Sequence, residues 1–119
     1  MPERFIGAAG SGRPTAHDIA TRMLAFSQTR LAAFAAYDMV VNDVAWDLLL
    51  SLFIAHERGR RVTVQKLCDA VPLPGAVTLR WVLALRTSGL LRYNDQEGMA
   101  AQVRLTPAAD GVVRGLIEA

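Results

Sequence analysis

The sequence has one cysteine, Cys68, among its 119 residues, so no intrachain disulfide can form and a reducing compartment fits best. Its only histidines, His17 and His56, fall in separate segments. No pair of side chains has metal-ligand spacing, and no Ser-His-Asp set can be built around a nucleophile elbow. An enzyme, a metal centre and a cofactor are therefore not expected. Long apolar runs are missing too. The richest, residues 44–55, still holds Asp47 and Ser51 and is too short for a membrane span. The opening MPERFIGAAG has no apolar core of the kind a secretory signal needs, so the cytoplasm is the expected location. Excess charge is also small, with 13 Lys and Arg against 11 Asp and Glu. Residues 1–43 balance four arginines against four acids, and residues 44–119 carry nine basic against seven acidic residues. Any nucleic-acid footprint must then come from local clustering.

What is present suits one folded domain: 52% of the residues are hydrophobic and 20% are charged. Residues 1–15 concentrate glycine and proline and read as a flexible leader. Within it, GAAGSGRP at 7–14 approaches a phosphate loop, but Arg13 and Pro14 stand where Lys and a hydroxyl are needed. The single domain is expected at 16–119. Thr15 and Asp18 form a capping-box signal for a helix over 16–39, with Ala20, Met23, Leu24, Ser27, Leu31, Phe34 and Asp38 along one stripe. That stripe either caps its own core or pairs with a second copy, and pairing is favoured. Asn42 and Asp43 can cap a helix over 44–57, whose Trp46, Leu48, Leu49, Leu50, Leu52, Phe53 and Ile54 mark it as central and buried. Gly59 ends it, residues 60–62 suit a short strand, and Thr63 caps a helix over 64–70 with Leu67 and Cys68 inward. Cys68 is either a buried apolar residue or a redox-sensing thiol.

A Pro-rich turn, PLPG, then leads into a helix over 74–88 that ends at Gly89. LLRYND and AQVRLT alternate as strands around QEGMA, which reads as a hairpin. Thr106-Pro107 opens a last helix to 119, where Gly111 and Gly115 permit close approach of another helix. The expected fold is mainly α with a small β-hairpin: a winged helix-turn-helix with a core at 44–106 and flanking dimerisation helices at 16–40 and 107–119.

The ordered set Trp46-Asp47-Leu48-Leu49-Leu50, residues 59–68, Thr78-Leu79-Arg80-Trp81-Val82, Gly89-Leu90-Leu91 and Leu105-Thr106-Pro107 resembles MarR-type winged helix-turn-helix transcriptional regulators. The resemblance covers about residues 44–110. It implies a homodimer on double-stranded DNA, with the fourth helix in the major groove and the hairpin wing at the adjacent minor groove. It also implies a small phenolic ligand between the dimer and DNA-binding regions. The family's polar positions early in the recognition helix fall here on Gly75, Ala76 and Val77. Its basic positions late in that helix fall on Leu83 and Ala84, and those at the wing tip on residues 95–99.

At about 100° per residue, Thr78, Val82, Leu85 and Gly89 share one face and should point to the core. Trp81 lies beside that arc. The opposite face holds Ala76, Val77, Arg80, Leu83, Ala84 and Thr87. Arg80 is the expected base reader, unless it packs along Trp81, and Ala76, Val77 and Thr87 run along the groove. Lys66, Arg60, Arg92 and Arg104 are the expected phosphate contacts, while Arg86 lies nearer the core side. Asp95 and Glu97 at the wing tip either repel phosphate or form an ordinary solvated turn. The apolar outer face contacts thymine methyls, binds a protein or is buried in the dimer. The principal expectation is thus a homodimeric DNA-binding regulator. Its alternative is a winged-helix interaction module that has lost DNA binding.

Overall fold

The computed structural model describes residues 12–119. Most of the leader, including residues 7–11 of the glycine-rich stretch, lies outside the described residues. Helix α1 spans Ala16–Ala33. Its capping box is complete: the Asp18 backbone N–H donates to Thr15 Oγ1 at 3.1 Å and the Thr15 N–H returns to Asp18 Oδ2 at 3.2 Å. These donors hold the Asp18 carboxyl below its ordinary pKa, the Thr15 backbone contact being the largest cause.

The helix stops six residues before the expected 39. Phe34 caps it and is wholly buried, with its ring against Tyr37 and Trp46. A short 3₁₀ turn, Ala35–Tyr37, and a left-handed Asp38 (φ 52°) then swing the chain across to α2, burying Val41. The apolar stripe does continue past residue 34, but core burial diverts the backbone from the helix.

Helix α2 is Asp43–Glu57, capped by Asn42 Oδ1 accepting from the Ala45 N–H at 3.0 Å. It buries Ala45, Trp46, Leu48, Leu49 and Leu52, whereas Ile54 is 52% exposed, so the burial is one-sided despite the apolar sequence. Gly59, at φ 67°, takes the left-handed position that ends the helix. The Arg60 N–H returns to Ala55 O at 2.8 Å and the Gly59 N–H to His56 O at 3.0 Å, the paired bonds of a Schellman turn.

Strand β1 (Val62–Thr63) leads directly into α3 (Val64–Asp69), capped by Thr63. Helix α4 is Gly75–Thr87, closed by left-handed Gly89 (φ 80°) with Leu90 N–H to Leu85 O at 2.9 Å. Strand β2 (Leu91–Arg92), a 3₁₀ segment (Asp95–Ala100), β3 (Gln102–Leu105) and α5 (Pro107–Glu118) complete the chain. Two features differ from the expected hairpin. The sheet has three antiparallel strands, with β3 between β1 and β2, and the link across the wing is made of short 3₁₀ turns broken at Gly98, where φ is 62°. Val62 pairs with Val103, Leu91 with Leu105 and Arg92 with Arg104. A helix-turn-helix (α3, α4) followed by this wing makes a winged-helix fold.

Thr106 joins three elements. Its Oγ1 donates to Gly89 O at 2.8 Å and accepts from Ala109 N–H at 3.2 Å, while its own N–H reaches Leu90 O at 3.1 Å. One hydroxyl thus caps α5 and ties it to the end of α4. Thr106→Ala is expected to lower stability by about 1–2 kcal/mol, read as a shift in urea midpoint at constant slope.

Candidate nucleic-acid interface

Helix α4 buries Thr78, Val82 and Leu85, so its rotation matches the periodicity; Trp81 is half-buried. Gly89 is exposed instead of facing the core, because its left-handed turn has already left the helix path. The outer face carries Ala76, Val77, Arg80, Leu83 and Thr87, all exposed, and half-buried Ala84.

The wing leans on this face. Val64, Leu79, Leu83, Tyr93, Gly98 and Met99 are among the residues lining a mainly apolar groove of about 300 Å³. The Arg86 guanidinium lies 4.9 Å from the Tyr93 ring centroid and 3.5 Å from Asp95. Asp95 therefore has a cation beside it. At the same turn Asn94 donates to Glu97 at 3.3 Å and accepts from the Gln96 N–H at 3.1 Å. Tyr93 is partly desolvated here, which raises its phenol pKa. Helical periodicity alone could not reveal this groove, because it forms where the 3₁₀ segment folds back.

The expected phosphate contacts divide between surfaces. Leu91, Val103 and Leu105 are buried, so strand alternation turns Arg92, Gln102 and Arg104 to the sheet's outer face. There they meet Arg60, Arg61 and His56 around a concavity of about 340 Å³. Among the described residues, none of these four arginines forms an ion pair with a carboxylate. Arg60, Arg92 and Arg104 are thus brought together, with Arg61 beside them, around a concavity whose lining does not include Arg80. Lys66 stands apart, exposed on α3.

Helix α1 meets the body through its second half. Phe26 packs 5.7 Å from Trp46, and Arg30 bonds Asp43 at 2.9 Å while lying 5.7 Å from the Trp46 ring centroid. The Arg30 side chain is buried and its Nε has no hydrogen-bond partner. Further along, Met23 is 68% and Leu24 60% exposed, with Ile19 and Leu31 also open. Ile19, Met23 and Phe26 join Arg22, Arg30 and Asp43 in lining an open groove of about 590 Å³. On α5, Ile117 is exposed, and a side chain added at Gly111 or Gly115 would meet open space.

No protein-family model matches the sequence, and no curated protein matches it. Solved structures do. A point mutant of S. aureus MepR superposes with TM-score 0.56 at 16% identity, over 87% of this chain and 76% of its own. The S. aureus MepR–DNA complex gives 0.55 at 17%, over 87% and 73%. A MarR-family transcriptional regulator from Silicibacter pomeroyi gives 0.52 at 18%, over 87% and 67%. The chain has the winged-helix fold of these MarR-type structures.

Cys68 is 3% exposed, and burial first, then the Asp69 charge, raises its thiol pKa. A sensing thiol needs the opposite environment, since the thiolate is the reactive form. Cys68 is expected to react with a thiol reagent such as DTNB only as fast as the protein opens. Rapid labelling of the native protein at neutral pH would restore the redox reading.

Proposed function

We propose that this chain is a non-enzymatic, homodimeric DNA-binding regulator of transcription acting in the cytoplasm. The observation that carries the reading is the open α4 face around Arg80, in a fold that the S. aureus MepR–DNA complex shares. Arg80 is the base reader, its planar fork suited to guanine O6 and N7. Ala76, Val77 and Thr87 run along the groove, where apolar side chains recognise thymine methyls. Lys66, Arg60, Arg92 and Arg104 contact phosphates. No helix among the described residues is long and apolar enough to cross a membrane.

The exposed apolar side chains of α1, with Ile117 of α5, form the dimer surface. The described molecule is 62 Å long but 27 Å across, so α1 offers more apolar surface than its own domain covers. The α1 groove, with Ile19, Met23, Phe26 and Arg22 in its lining, suits a small phenolic ligand. One observation favours a second reading, the apolar groove between Leu83 and Met99. In that reading α4 binds a protein partner, and Leu83→Glu abolishes capture of that partner without unfolding the domain.

Duplex affinity is expected to fall linearly on a log–log plot against salt. Arg80→Ala should cut discrimination between best and random sites by about 1–3 kcal/mol. Lys66→Ala should weaken all sequences alike and lower the salt slope by about one. Affinity no better than millimolar at about 50 mM salt over a genomic fragment pool rejects the reading. In sedimentation at micromolar concentration a two-chain species is expected, and Met23→Glu with Leu24→Glu should convert it to a folded monomer.

A further inference from the structure

The sheet's outer face places cations where strand pairing would disfavour them. Arg92 and Arg104 are direct cross-strand partners, an arrangement in which like charges repel. Extending the Val62–Val103 register by one residue sets Arg61 opposite Arg104 on the other side. Arg61, just before β1, thus lines up with Arg104 of β3 and Arg92 of β2, with Arg104 in the middle. The Schellman turn at Gly59 delivers Arg60 to the same place, and His56 and Gln102 complete the wall. The lining contains no acidic residue, and no carboxylate among the described residues pairs with any of the four arginines.

We propose that this concavity is a binding site for a compact polyphosphate group, carried by a small ligand. Guanidinium forks match phosphate oxygens in pairs, and several converging forks recognise a multiply charged group better than a single anion. The volume, about 340 Å³, lies in the range of small-ligand sites. A duplex presents its phosphates along an extended convex backbone, one charge per about 1.7 Å of axis over both strands. These side chains line one open concavity, where a compact group meets several guanidiniums at once. Bound polyphosphate removes the mutual repulsion of Arg61, Arg104 and Arg92. It also occupies Arg60, Arg92 and Arg104, so it lowers affinity for DNA; this regulatory half rests on the DNA-binding reading above.

The probe is inorganic tripolyphosphate, titrated calorimetrically into the full chain at fixed ionic strength, with sulfate as the control. One molecule per chain is expected, bound at least about tenfold more tightly than sulfate. Arg104→Ser should weaken it by about tenfold or more, and Arg104→Lys by less, because the charge stays but the fork is lost. Arg80→Ala should leave it unchanged. Circular dichroism verifies that each variant is folded, and Arg92→Ser serves as a second exposed substitution on the neighbouring strand. A nucleoside triphosphate in a parallel titration identifies the source: equal affinity points to the polyphosphate alone, tighter affinity to a nucleotide, and both uphold the site. Absence of saturable binding overturns the proposal, as does binding that Arg104→Ser leaves intact. If tripolyphosphate binds and no duplex does, the site stands and the DNA reading falls. If duplex binds and saturating tripolyphosphate leaves its affinity unchanged at matched ionic strength, the regulatory half falls and the DNA reading stands.

Discussion

The buried side of α2 is the constraint on which the other elements depend. Leu48, Leu49 and Leu52 have no exposed surface, and α3, α4, α5 and β3 all pack against this helix. Full burial of such a side chain stabilises a fold by about 1.5–3 kcal/mol, so no neighbouring element can rotate away from it cheaply. For α4 the result is a fixed phase: Thr78, Val82 and Leu85 turn inward, and Arg80, Leu83 and Thr87 are left outside. The surface that can read a ligand is thus what remains after the core has been satisfied.

The same packing links that surface to the far side of the domain. Thr106 bonds the carbonyl of Gly89, directly after α4, and starts α5. Farther along α5, Arg114 lies 4.8 Å from the Phe53 ring centroid and 2.9 Å from Glu57 at the end of α2. The Arg114 hydrogen bond holds the Glu57 carboxyl below its ordinary pKa. Because the folded pKa is depressed, the contribution is present at neutral pH and fades as pH falls through the folded value. Exposure to solvent keeps that contribution small. Its geometric effect is larger: through Arg114 and Thr106, α5 is held both to the end of α2 and to the turn that closes α4.

Local signals in the sequence were enough for the helix starts and two of the helix ends. Thr15, Asn42, Thr63 and Thr106 each cap the helix that follows, and Gly59 and Gly89 each occupy the left-handed turn that stops one. The phase of α4 was legible for the same reason, because it follows from spacing alone. The end of α1 was not, since Phe34 stops the helix through contacts with Trp46, a residue brought close only by folding. The third strand was legible only in part: a short strand is expected at residues 60–62 and forms at Val62–Thr63. Val62–Thr63 is two residues long and becomes a strand only by pairing with Val103 and Gln102. Arg61 is absent from the expected phosphate contacts for a related reason: in sequence it only follows a helix end, and in the fold it lies beside the sheet's arginines.

The pairing of Arg86 changes how charge at the wing should be counted. In the sequence, Asp95 and Glu97 read as either a phosphate-repelling tip or an ordinary solvated turn. In the fold, Asp95 is beside Arg86, whose guanidinium also stacks against Tyr93, so one acid is offset by a cation that the helix contributes. Arg86 is thereby committed to holding the wing against α4. Among the described residues, Arg60, Arg61, Arg92 and Arg104 at the sheet's outer face, and Arg80 on α4, have no such carboxylate partner. The arginine concavity and the α4 face around Arg80 thus share no lining residue. A helix with one arginine among apolar neighbours discriminates sequence weakly, while a cluster of arginines responds strongly to any phosphate.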